Sequence, residues 1–200
     1  MACVRLFSQN LFRYHTDQRL CNSRMECVQG WVTALDVRPG DATLTVLRGS
    51  NNHHAQFAQR FGHSALKKDW YKLASQEELD FFIVEKGCRP VSIACPAGSL
   101  VLWDSRTMHA GQEPLAGQRE RPNFREVVYL CYLPRTAATE KDLVKKREAF
   151  NKLRMTSHWP QRPMLFGKNP QTYGGDQPEV TPLPPPTNVS EYLGKKLAGF

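Results

Sequence analysis

The sequence has no stretch long and apolar enough to cross a bilayer. Its longest apolar run, around Leu79 to Val84, falls far short of the ~20 residues a membrane helix needs. The leading residues MACVRLFSQNLF lack a clean apolar segment ending in a small-residue cleavage site, so no secretory leader is expected. No two of the cysteines at 3, 21, 27, 88, 95 and 131 form a C-x-x-C pair, which speaks against a structural zinc site and a small disulfide scaffold. Reduced thiols in a cytoplasmic protein without membrane attachment are the expectation. No internal repeat is visible. Acidic charge is scarce: 19 Asp and Glu against 27 Lys and Arg leave a net charge of +8. That surplus suits an acidic small molecule, a nucleic-acid contact or plain solubility. The basic residues at Lys67–Lys68, Lys145–Arg154 and Lys195–Lys196 are not interleaved with aromatics as a stacking surface would be, so a small-molecule substrate is expected rather than nucleic acid.

What remains is ordinary globular material, 40% hydrophobic and 23% charged over 200 residues, enough for one well-filled core. Residues 27–37 (CVQGWVTALDV) are β-rich and run into the turn Arg38-Pro-Gly-Asp41; ATLTVL at 42–47 alternates in period two, and together they read as a hairpin. Helices are expected over 54–61 and after Ser75, where Ser75 and Glu78 have capping-box spacing. Strands resume at 91–95, 99–104 and, with the strongest signal, 124–133; a charged amphipathic helix is expected over 139–153. From Pro160 the composition shifts, and Pro182, Pro184, Pro185 and Pro186 predict an extended tail. The expected division is therefore a domain over 1–160 and a proline-rich tail over 161–200.

One short motif carries chemistry. Non-heme Fe(II) oxygenases hold iron with two histidines and a carboxylate on one face of the metal. Two of these ligands come as His-x-Asp, because residues i and i+2 of a strand point the same way. The only His-x-Asp here is His15-Thr16-Asp17; His53, His54, His63, His109 and His158 are candidates for the third ligand. His109 stands out, since it follows a turn, a strand and Trp103-Asp104-Ser105-Arg106-Thr107-Met108. His53, His54 and His63 read as surface or helix-cap residues, His158 as packed or substrate-side, and Asp104 as bonded to its own loop.

The block PAGSLVLWDSRTMHAG at 96–111 resembles the distal-histidine segment of the phytanoyl-CoA dioxygenase-like family of Fe(II)/2-oxoglutarate oxygenases. HTDQ at 15–18, CVQGWVTALDV with TLTVLRGS, FREVVYLCYLPR and KKREAF…TSHWP follow the family in order, over residues 10 to 160. The resemblance implies a mainly β fold, a double-stranded β-helix (jelly-roll, cupin-like) barrel with flanking helices. It implies Fe(II) on His15, Asp17 and His109, with 2-oxoglutarate and O2 as cosubstrates and hydroxylation of a small molecule as the outcome. The family anchors 2-oxoglutarate with an arginine shortly after the distal histidine; Arg125 is the match, with Arg121 in reserve, and Trp31 falls where an aromatic can line the cosubstrate. Asn51 stands where the family's Gly-Ser-His signature has histidine. Only fourteen residues precede His15, fewer than in the family, so exposed apolar surface is expected, with either marginal stability or association with itself or a partner. Two rival expectations are a catalytically impaired relative that serves as a binding module and an oxygenase directed at nucleic acid.

Overall fold

The computed structural model describes residues 14–160, 163–165 and 190–200. The proline-rich stretch at 182–186 lies outside the described residues. The chain divides into two compact units, Met1–Leu130 and Cys131–Phe200.

The first unit is built from two antiparallel sheets and short helices. One sheet has the order β4-β1-β7-β3-β5, from β1 (His15–Thr16), β3 (Thr43–Arg48), β4 (Tyr71–Lys72), β5 (Arg89–Ser92) and β7 (His109–Gln112). The other has the order β6-β2-β8, from β2 (Val28–Thr33), β6 (Leu100–Asp104) and β8 (Val127–Tyr132). The period-two alternation of β3 sorts its side chains. Thr43, Thr45 and Leu47 face one way, and the Tyr14 hydroxyl meets that of Thr45 at 3.1 Å. Leu47 joins a core with Tyr14, Met108 and Ala110 that α1 (His54–Arg60) and α2 (Gln76–Asp80) cap through Phe57, Leu79, Phe81 and Phe82. Leu44 and Val46 face the other way, into a second core with Trp31, Ile93, Val101, Trp103 and Val127. The two sheets thus pack face to face over that second core, while helices cover the far side of the larger sheet.

Several elements follow the sequence closely. Ser75 accepts a hydrogen bond from the Glu78 amide, and the helix it caps runs on through a π turn at Phe81–Glu85. The expected hairpin does not form. β2 pairs with β6, Gly30 opposite Leu102, and β3 pairs with β5 and β7, so the two strands lie in different sheets. The turn between them is a crossing point: the buried Asp41 carboxylate accepts from the Arg38 amide at 2.8 Å, from the Asn123 amide at 2.7 Å and from the Arg119 guanidinium at 2.5 Å. Val37 meanwhile pairs with Cys95.

In the second unit α3 (Glu140–Asn151) opens with a full capping box between Thr139 and Asp142. A further helix, α4 (Glu191–Ala198), is capped by Ser190; Phe200 just beyond it meets Phe150 of α3 at 5.9 Å between ring centroids. No helix among the described residues is long and apolar enough to cross a membrane.

Candidate metal centre

Strand register builds the centre. His15 on β1 lies directly opposite His109 on β7, and His109 lies opposite Val46 on β3. Residues opposite one another in an antiparallel pair share a face. Both imidazoles therefore point with Val46 into the space between the sheets, their ring centroids 4.4 Å apart. β1 ends at Thr16, so Asp17 sits at the bend just past the strand rather than within it, yet it keeps the same facing as His15. One Asp17 oxygen is 3.7 Å from Nε2 of His15 and the other 3.5 Å from Nε2 of His109. The three ligand atoms all fall within 4.8 Å of one another.

The surrounding hydrogen bonds fix how these groups present themselves. Nδ1 of His109 is 2.9 Å from the Thr107 carbonyl, which can only accept. Nδ1 therefore carries a hydrogen, which leaves Nε2, the nitrogen that faces Asp17, as the ligand atom. Trp103 donates its indole N–H to Oε1 of Gln29 at 3.1 Å, which turns the Gln29 amide nitrogen to Asp17 Oδ2 at 2.8 Å. Since an indole can only donate, Trp103 sets the amide orientation and the amide sets the carboxylate. The Trp103 ring also lies 5.3 Å from His109, and Trp70 lies 5.8 Å from His15. Two imidazole nitrogens and one carboxylate converging from one side, with Nδ1 of His109 and the Asp17 carboxylate each hydrogen-bonded, fit a divalent transition metal such as Fe(II).

Sequence reasoning missed Gln29 and Trp103 as supports of the centre. The available signal was a glutamine inside an otherwise apolar strand, CVQGWV, two residues before Trp31 and so on the same face.

Arg125 lies two residues ahead of β8 rather than opening it. Its guanidinium donates to the Tyr129 hydroxyl at 2.7 Å and comes within 3.8 Å of where a Cβ on Gly111 would stand. Gly111 is two residues beyond His109 on β7, so the guanidinium occupies the side of that strand that carries the histidine. Arg119 is engaged by Asp41, and Arg121 is exposed. Trp31 is fully buried in the inner core, its indole nitrogen without a hydrogen-bond partner there. Asp104 stays out of the cluster and binds the Arg106 amide and guanidinium.

The remaining histidines are sorted by burial. His53 is the residue before α1 and meets Gln56, a cap position as expected. His63 is half-buried against the Tyr71 hydroxyl at 2.8 Å and Glu78 at 3.3 Å, not a surface residue. His54 departs furthest from expectation: it is 1% exposed, and neither ring nitrogen has a hydrogen-bond partner of normal geometry. Burial pulls its pKa down to about 4, with Arg106 adding to the effect and Asp104 and the Gln18 backbone opposing it. In the second unit the His158 ring packs 5.2 Å from Trp159.

Comparison with known proteins adds the following. A family model described as phytanoyl-CoA dioxygenase matches residues 4–121. The Aspergillus versicolor "Ava biosynthesis cluster protein O" is 27% identical over 157 residues, 74% of this chain; the chain spans about half of that relative, 48% of its length. Among solved structures, EctD from S. alaskensis with 2-oxoglutarate and 5-hydroxyectoine aligns over 60% of this chain and 37% of its own, at 18% identity and a TM-score of 0.40. GlcNAc inducible gene 2 from Candida albicans aligns over 65% of this chain and 32% of its own, at 20% identity and a TM-score of 0.47.

Proposed function

Because the chain belongs to the phytanoyl-CoA dioxygenase family, we propose that it is an Fe(II)- and 2-oxoglutarate-dependent oxygenase that hydroxylates a small molecule. The observation that carries the reading is the convergence of His15, Asp17 and His109 between the two sheets. In this reading the facing sheets of five and three strands are the two walls of a double-stranded β-helix.

His15, Asp17 and His109 would hold the metal. When bound, Fe(II) supplies the redox chemistry by which O2 oxidises 2-oxoglutarate to succinate and CO2 while one oxygen atom enters a C–H bond of the substrate. The chain's own residues prepare the site. Asp17 offsets part of the dication's charge, and Gln29, held by Trp103, stops the carboxylate from rotating. The Thr107 carbonyl keeps His109 in the tautomer that presents Nε2. Arg125 pairs with the far carboxylate of 2-oxoglutarate, for which its planar donor fork is suited. Trp31, Val101 and Leu44 wall the space with apolar surface and limit water.

The test is anaerobic titration with Fe(II) and 2-oxoglutarate, followed by the weak visible band of the chelated complex, then succinate release on admitting O2. His109→Ala should lose the band, and Arg125→Ala should weaken 2-oxoglutarate binding by about 2–5 kcal/mol while Arg121→Ala does not. A wild-type protein that takes up neither metal nor 2-oxoglutarate would refute the proposal.

A further inference from the structure

Away from the metal centre, a second concavity of about 380 Å³ is lined by Arg48, Gly49, Asn52, His53, Lys86, Gly87, Cys88 and Arg89. Its charge is one-sided: two arginines and a lysine line it, and no carboxylate does. Among the described residues no acidic side chain lies within ion-pair distance of Arg48, Lys86 or Arg89. Lys86 Nζ rests 5.1 Å from the Phe81 ring centroid, which holds its stem without neutralising it. The two arginines are moreover forced together. Arg48 at the end of β3 is the direct cross-strand partner of Arg89 at the start of β5. Like charges placed opposite one another in an antiparallel pair destabilise it. A compact fold that juxtaposes two guanidinia at the lip of a cavity, with an ammonium on the wall and no counter-charge, has the electrostatics of an anion receptor.

We infer that this cavity is a binding site for a phosphate-bearing small molecule, with Arg48 and Arg89 gripping the phosphate and Lys86 completing its neutralisation. Guanidinium forks match the tetrahedral oxygens of phosphate in pairs, which a lone lysine does not. The volume suits a small ligand rather than the continuous backbone of a nucleic acid. None of His15, Asp17 and His109 lines it, so binding there can be measured without metal. A neighbouring, mostly apolar cavity of about 310 Å³, lined by Leu44, Val46, Ile93, Val101 and Trp103 with Asp104 (paired with Arg106) at its polar side, shares Arg48 and Gly49 with it. The phosphate would thus sit at the rim of an apolar recess.

Calorimetric titration of the full chain with pyrophosphate, in chelator-containing buffer so that metal binding plays no part, tests this. Wild type should bind, and Arg48→Gln and Arg89→Gln should each weaken binding at least tenfold. Arg60→Gln, an exposed cation elsewhere that pairs with Glu77, should change nothing. Without ligand, both pocket variants should melt at or above the wild-type temperature, because each removes a repulsion; arginines with a merely structural role would lower it. The inference is overturned if wild type fails to bind pyrophosphate, if Arg60→Gln weakens binding equally, or if the variants melt lower. It is equally overturned if a single-stranded oligonucleotide, and not pyrophosphate, is the ligand whose binding the variants lose.

Discussion

Replacing His54 with leucine should flatten the acid limb of the stability curve. His54 is buried to 1% exposure and its folded-state pKa lies at about 4, against 6.5 for the ordinary imidazole. Between those values the unfolded chain takes up a proton at this residue and the folded chain does not, so stability falls as pH drops through 6.5 and stops falling near 4. Each tenfold difference in proton affinity is about 1.4 kcal/mol, so the full loss is roughly 3 kcal/mol, and about 2 kcal/mol of it has already gone by about pH 5. Leucine fills much the same volume and carries neither of the two unpartnered ring nitrogens, so His54→Leu should be at least as stable as wild type near neutrality. Urea denaturation followed by fluorescence at about pH 7.5 and pH 5 measures both chains; every other titrating group, the cluster histidines included, is common to the two and cancels in the difference. Wild type should lose about 2 kcal/mol more than the variant over that interval. An identical pH dependence in the two proteins would show that His54 titrates normally and is not sealed from water.

Three further outcomes follow from named contacts. Gln29→Leu should leave the fold intact but weaken Fe(II) binding by about 10–100-fold in anaerobic equilibrium titration, since Asp17 loses the amide that orients it. Gly30→Ala should cost about 1–3 kcal/mol in denaturant melts, because the added Cβ would stand 2.6 Å from the Val101 carbonyl oxygen, which belongs to the neighbouring strand and has little room to yield. Asp41→Ala should cost about 3–5 kcal/mol by the same assay, leaving the Arg119 guanidinium and two backbone amides without their shared acceptor.

Local chemistry was more legible than long-range pairing. Capping at Ser75 and Thr139 depends on residues three apart, and both caps form. The proximity of His15, Asp17 and His109 was legible because a short motif and a turn–strand–histidine block each mark one side of the site. The hairpin over 27–47 misled because Arg38-Pro-Gly-Asp41 is a competent turn, yet nothing local states that Asp41 reaches forward to Asn123 and Arg119 to send the chain into the opposite sheet. His54 misled for a related reason: a histidine in a polar run at a helix start reads as solvated. Its burial is decided by neighbours far along the chain, with Gln18 before it and Asp104 and Arg106 after it. Helix α4 went unread because its eight residues follow a proline-rich stretch, and the Ser190 cap alone is a weak local signal.

The pairing of His15 with His109 also gives the two strands a parity. Side chains alternate from Tyr14 into β1, Tyr14 in the helix-capped core and His15 toward the opposite sheet. A single residue inserted between Tyr14 and His15 would put both on one face, so that either the imidazole turns in among Leu47 and Met108 or the Tyr14 ring turns into the space between the sheets. Two inserted residues would restore the facing and merely lengthen the strand. Tolerance to insertion around His15 and His109 should therefore follow an odd–even rule, a constraint on length variation that acts before any question of which residue types are chosen.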